Sequence, residues 1–177
     1  VSADARRAIV NMGGTEAIAA VLMRHTSQPN ELGKNVTLDA LNLLTRLCID
    51  SSLIPKLARD TIAAVMIAAR KHSRDPKICN AVFVLLTLLA FEVGTLELIR
   101  NEEAIGFVID ALCAMPGEVE LVKEAVTVLE TIGTASPDHA LIVVNEGGKM
   151  AIQSKLFVLG FSGAQGYVCC VEGSGGG

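Results

Sequence analysis

Aromatic side chains make up only 3% of this 177-residue chain, and tryptophan is absent. The basic residues therefore have no aromatic neighbours on which bases could stack, and nucleic acid is not an expected partner. The net charge is −4, so no field of positive charge draws the chain to polyanions or acidic membranes. No run approaches the roughly 18 uninterrupted apolar residues of a membrane span. The five cysteines show neither a CxxC pair nor a Cys/His spacing that suits a metal. With no visible signal peptide, they read as free thiols in a reducing, cytoplasmic setting. Three histidines are present, none spaced with a nucleophile and an orienting acid. No catalytic, cofactor-binding or metal-binding residues are expected, and the chain reads as a non-enzyme.

Apolar residues nevertheless reach 51%, mostly Ala, Val, Ile and Leu. They follow a pattern, Ala-x-x-x-Leu-x-x-(Leu/Ile), which occurs at Ala40, Leu44 and Leu47, at Ala81, Leu85 and Leu88, and at Ala125, Leu129 and Ile132. The spacings are 41 and 44 residues. A second set of anchors, Ile9, Leu57, Ile99 and Val143, recurs at 48, 42 and 44. Two registers with one period mark a helical solenoid, whose units bury their apolar faces against their neighbours.

Each unit reads as three helices. In the second, Ser51 and Ser52 are placed to cap a short first helix, Asp60 or Thr61 opens a second over Ile62 to about His72, and Asp75-Pro76 opens a third over Lys77 to about Phe91. Met115-Pro116-Gly117 separates two helices of the third unit, and Ser136-Pro137 caps the next. Gly13-Gly14 and Gly147-Gly148 occupy one corner in the first and fourth units, where glycine allows a sharp bend.

The corner Ile-Val-x-x-Gly-Gly-x-x-Ala-Ile (Ile9 to Ile18, with Val143 to Ile152 similar) and the Ala-x-x-x-Leu-x-x-Leu helix resemble the armadillo repeat. The resemblance covers residues 1 to about 158 and implies an all-α fold, a right-handed solenoid of about three and a half repeats. The repeats run about 1–50, 51–93, 94–135 and, in part, 136–158. The two-helix HEAT plan is the structural alternative, and the Gly-Gly corner argues against it. Residues 159–177 are glycine-rich and read as a flexible tail, ending in a linker-like Gly173-Ser-Gly-Gly-Gly177. The start at Val1 and the incomplete fourth unit suggest a longer parent protein, or an open end covered by another chain.

The resemblance also implies a site. In armadillo proteins the third helices line a concave groove that binds extended peptides. Members that carry nuclear-import cargo place Asn just before the final Leu and Trp one turn earlier. Here the Asn position holds Arg46, Thr87 and Thr131, and the Trp position holds Asn42, Phe83 and Thr127. Import activity is therefore not expected. These six residues form the candidate partner-binding set, with Phe83 as a partly exposed apolar anchor. The expected function is a protein–protein interaction scaffold or adaptor for a protein or peptide partner. The alternative is a structural segment of a cytoskeletal or ciliary assembly, self-associating through an open solenoid end.

Other features carry blander readings. Gly160-x-x-Gly163-x-x-Gly166 lacks the helix and acidic residue of a dinucleotide fingerprint. Arg24-His25 and Lys71-His72 read as basic helix C-termini, and Arg70, Lys71, Arg74 and Lys77 as a solvated basic stretch. Cys169-Cys170 reads as a free pair.

Overall fold

Ser2, Asn30, Asp75 and Ser136 each turn a side-chain oxygen onto a backbone N–H of a first helical turn, accepting from Ala5, Gly33, Lys77 with Ile78, and His139 respectively. Capping of this kind satisfies N–H groups that have no intrahelical acceptor. In the computed structural model, which describes residues 2–26, 30–115 and 117–148, four helices begin at these residues. They are α1 (Ala3–Asn11), α3 (Glu31–Leu47), α5 (Pro76–Ala90) and α9 (Pro137–Asn145). The others are α2 (Gly14–Thr26), α4 (Ile54–Lys71), α6 (Leu96–Asn101), α7 (Ala104–Ala114) and α8 (Val119–Ala135). The described residues are all-α, with short 3-10 turns at Ser51–Leu53 and Val93–Thr95. The second helix expected for the fourth unit, the glycine-rich tail and Cys169-Cys170 lie outside the described residues.

The helices pack in sequence order. α3 packs on α5, α5 on α8, and α8 on α9, and α2 lies beside α4. α2 packs on α3, α4 on α5, and α7 on α8. One continuous core runs from Val10 through Leu44, Val65, Leu86 and Val108 to Val143. α5 is apolar nearly all round because other helices cover it on several sides.

The corners between short and long helices depend on one backbone position. Gly13 and Gly147 both have φ +84°. The glycine after each leaves no room for a side chain. A Cβ on Gly14 would lie 2.6 Å from the Ile9 carbonyl oxygen, and one on Gly148 would lie 2.7 Å from that of Val143. Glu103 holds the same place between α6 and α7, at φ 53°. A left-handed conformation is costly for a residue with a Cβ. The Glu103 side chain is exposed and reaches only Arg70, at 3.9 Å. Glu103→Gly should therefore stabilise the fold by about 1 kcal/mol, the strain relieved outweighing a weak surface ion pair. A lower urea midpoint in the variant would contradict this.

The second unit departs from expectation. No corner forms at Asp60 or Thr61, and the two helices expected there are one, α4, of 18 residues. The equivalent of Gly13 is Thr61, which is β-branched and poorly suited to positive φ. Thr61 stays helical and donates its hydroxyl to the Leu57 carbonyl at 2.7 Å. Asp60, expected to open a helix, instead faces α2. It accepts from the Thr15 hydroxyl at 2.8 Å and from Lys56 Nζ at 2.9 Å. Asp50, rather than Ser51 or Ser52, caps the preceding 3-10 turn.

Lys56 also bonds Glu16 at 2.9 Å, so it joins α2 to α4. The Lys56 hydrogen bond, helped by one from backbone, lowers the Glu16 carboxyl from 4.5 to about 2. A depressed carboxylate stabilises the fold above its unfolded pKa, and that contribution is lost as pH falls through the folded value. Acid unfolding between pH 4.5 and about 2 should therefore be shallower in Glu16→Gln than in the parent chain. Superimposable circular-dichroism titrations would rule this contribution out.

Candidate interaction surface

Phe83 has 0% of its surface exposed. It packs edge-on against Phe107 of α7, with ring centroids 6.2 Å apart. Thr87 is also buried and donates its hydroxyl to the Phe83 carbonyl at 3.1 Å. Two of the six expected surface residues are thus core residues, and Phe83 is no exposed anchor. Asn42 and Arg46 on α3 and Thr127 on α8 are exposed, and Thr131 is half-buried. Thr127 and Thr131 donate to the Lys123 and Thr127 carbonyls, which leaves their oxygens as acceptors toward solvent.

The misplacement is a register shift of one residue. On α5 the less buried positions are Pro76, Lys77, Asn80, Ala81, Val84 and Leu88, of which Lys77, Ala81, Val84 and Leu88 form a line continued by Phe91 just past the helix. On α3 the corresponding exposed line is Asn35, Asp39, Asn42, Arg46 and Ile49. On α8 it includes Glu120, Thr127, Thr131 and Thr134. These lines match at spacings of 42 and 43 residues, more even than 41 and 44. The core frame of α5 is accordingly Val82, Leu86 and Leu89, all buried, whereas Ala81 and Leu88 are only half-buried. Val84 and Leu88 stand where Phe83 and Thr87 were expected. One residue corresponds to about 100° of helical rotation, which turns a surface position into the core.

The corrected surface has an apolar centre and polar sides. Ala81, Val84 and Leu88 are half-buried; Asn42 and Arg46 on α3 and Thr127 and Glu130 on α8 are exposed, while Glu124 and Thr131 on α8 are half-buried like the stripe. Phe91, 72% exposed, ends it beside the exposed Val93. Lys77 starts it, with Lys71 exposed at the end of α4 and Arg74 exposed in the turn before α5.

Elsewhere among the described residues the polar side chains do not assemble into a reacting centre. His72 is buried at the end of α4, and that burial lowers its pKa below the usual 6.5, favouring the neutral ring. It is no member of a basic helix end, as the sequence suggested. His139 is buried too and meets the Ser136 hydroxyl at 2.6 Å. Burial pushes the Cys48 and Cys79 thiols up to about 12, so both are inert as nucleophiles. Among the described residues no group of His, Cys, Asp and Glu could hold a metal ion. No described helix is long and apolar enough to cross a membrane. No protein-family model, curated protein or solved structure matches the chain.

Proposed function

We propose that this chain is an armadillo-like helical solenoid serving as a non-catalytic protein–protein interaction scaffold, with its partner seated on the row formed by α3, α5 and α8. The observation that carries this reading is the line of half-buried apolar side chains on α5, the helix that packs on both α3 and α8 with their exposed polar residues. An apolar centre with a polar rim is the composition of a recognition surface. The repeat reading draws support from the two glycine corners, which share one φ and one close approach to the residue five positions earlier. The packing order of α3, α5 and α8 supports it as well. In the second unit the continuous α4 makes a two-helix variant of the plan.

Cross-linking mass spectrometry from a native extract tests the reading. Lys77 and Lys123 flank the stripe, whereas Lys56 bridges α2 and α4. Partner cross-links should fall on Lys77 and Lys123. Cross-links confined to Lys56 would move the site to another face.

The corrected register leaves the view of import cargo unchanged. Val84 and Leu88 supply neither the indole ridge nor the amide ladder, and Arg46 repels a basic peptide. A Lys/Arg-rich localisation peptide should show no binding at micromolar concentration by fluorescence anisotropy. A micromolar or tighter dissociation constant would overturn this.

A further inference from the structure

Resting on that reading, we infer that the partner segment seated on this surface is an amphipathic α-helix lying lengthwise along α5, with an acidic end over Lys71, Arg74 and Lys77. The stripe decides the shape of the occupant. Lys77, Ala81, Val84, Leu88 and Phe91 follow one another at intervals of four, three, four and three. That alternation is the seam of a coiled coil, the pattern one helix presents to another packed along it. From Ala81 to Phe91 the seam runs about 15 Å, three turns of a partner helix. A helix laid on it meets Ala81, Val84, Leu88 and Phe91 with anchors at i, i+3, i+7 and i+10. An extended segment crossing the row instead meets the helices in turn, roughly 8–10 Å apart. Through the middle it would touch Asn42, Val84 and Thr127, of which only Val84 is apolar. Apolar burial dominates association, so the lengthwise helix is favoured several-fold in anchors.

Charge fixes which way the segment lies. Lys71, Arg74 and Lys77 are exposed, and among the described residues none of them is in an ion pair. The one carboxylate in that turn, Asp75, caps α5 and meets Lys34 at 3.5 Å. The opposite end presents the exposed Phe91 and Val93, with only the half-buried Glu92 between them, and carries no basic residue. Along the side, α8 presents Glu124 and Glu130, while its Lys123 is bound to Glu120 at 2.7 Å. The complementary helix is therefore acidic at one end, bulky and apolar at the other, and basic along the edge beside α8.

Three synthetic 18-residue peptides test this against the full 177-residue chain by fluorescence anisotropy. The first carries Leu at the seam intervals, three Glu in one terminal turn and Lys along one edge. The second has the same composition in scrambled order. The third is the first with two central prolines, which prevent a helix. The first should bind at least tenfold more tightly than the other two. Phe91→Asp, at an exposed position that folding does not need, should weaken it at least tenfold, as should Leu88→Asp if that variant keeps its thermal midpoint. Arg74→Glu with Lys77→Glu should weaken it several-fold, and 0.5 M salt should erase that difference. If the proline peptide binds as well as the first and Phe91→Asp abolishes both, the helical occupant is wrong while the surface stands. If no peptide binds, or Phe91→Asp has no effect on any, the lengthwise helix is overturned, and the cross-links alone then decide the surface.

Discussion

Phe83→Ala should destabilise the fold by about 3–5 kcal/mol, the usual range for deleting a buried phenyl ring. The ring is completely enclosed, and its edge-on contact with Phe107 holds α5 against α7. Few substitutions in the described core remove more volume. Alanine cannot fill the space, and helices packed on several sides of α5 cannot all close on it. The effect belongs to folding and not to recognition. Urea melts should show a large drop in midpoint, and binding to a surface partner should be unaltered wherever the variant remains folded. A loss below about 1 kcal/mol, accompanied by weakened binding, would return Phe83 to the surface.

Leu86→Ala and Leu88→Ala should differ sharply, although the two leucines are two positions apart. Leu86 is fully buried, and its truncation should cost about 2–5 kcal/mol. Leu88 is half-buried at the seam, and its truncation should cost about 1–2 kcal/mol, because part of the side chain already meets water. The pair reads the rotation of α5 directly. Equal losses, or a larger one at Leu88, would favour the frame that begins at Ala81.

These two experiments touch the place where the sequence was hardest to read. The run from Ala81 to Ala90 is apolar except for Thr87. It contains two small-x-x-x-Leu-x-x-Leu frames one residue apart, Ala81 to Leu88 and Val82 to Leu89. Periodicity identifies a helix in such a run but not the side that is left open, since that depends on what packs around it. The alanine shared with Ala40 and Ala125 favoured the first frame. Lys77, which cannot readily be buried, was the signal for the second. On α3 and α8 polar residues mark the outer side, and there Asn42, Arg46 and Thr127 are exposed and Thr131 is half-buried. Leu85, expected in the core, is buried, since it belongs inside in either frame.

Corners were legible where glycine or proline marked them. Asp75-Pro76 and Ser136-Pro137 open helices as expected. Glu103 was not foreseeable as a left-handed residue from its type. Its setting gave a hint, since Asn11, Asn101 and Asn145 each stand two residues before the positive-φ position. The missing corner in the second unit was a misreading of a real pattern. Leu57 is an anchor like Ile9 and Ile99, but the residue four places on is threonine.

That threonine has a mechanical consequence. α1 and α6 are short helices, each joined to the next by a single left-handed residue. Either one can detach while its neighbour stays helical, so its amides should exchange with solvent through small local openings. The equivalent segment of the second unit has no such joint. It is the first part of a rigid rod of about 27 Å, whose hydrogen-bonded ladder runs unbroken from Ile54 to Lys71. Ile54 to Asp60 can fray only by melting inward against the Thr15–Asp60–Lys56 bridge. The slowest-exchanging outer helix should therefore be the middle one, which would make α4 the stiff brace that ties α2 to α5.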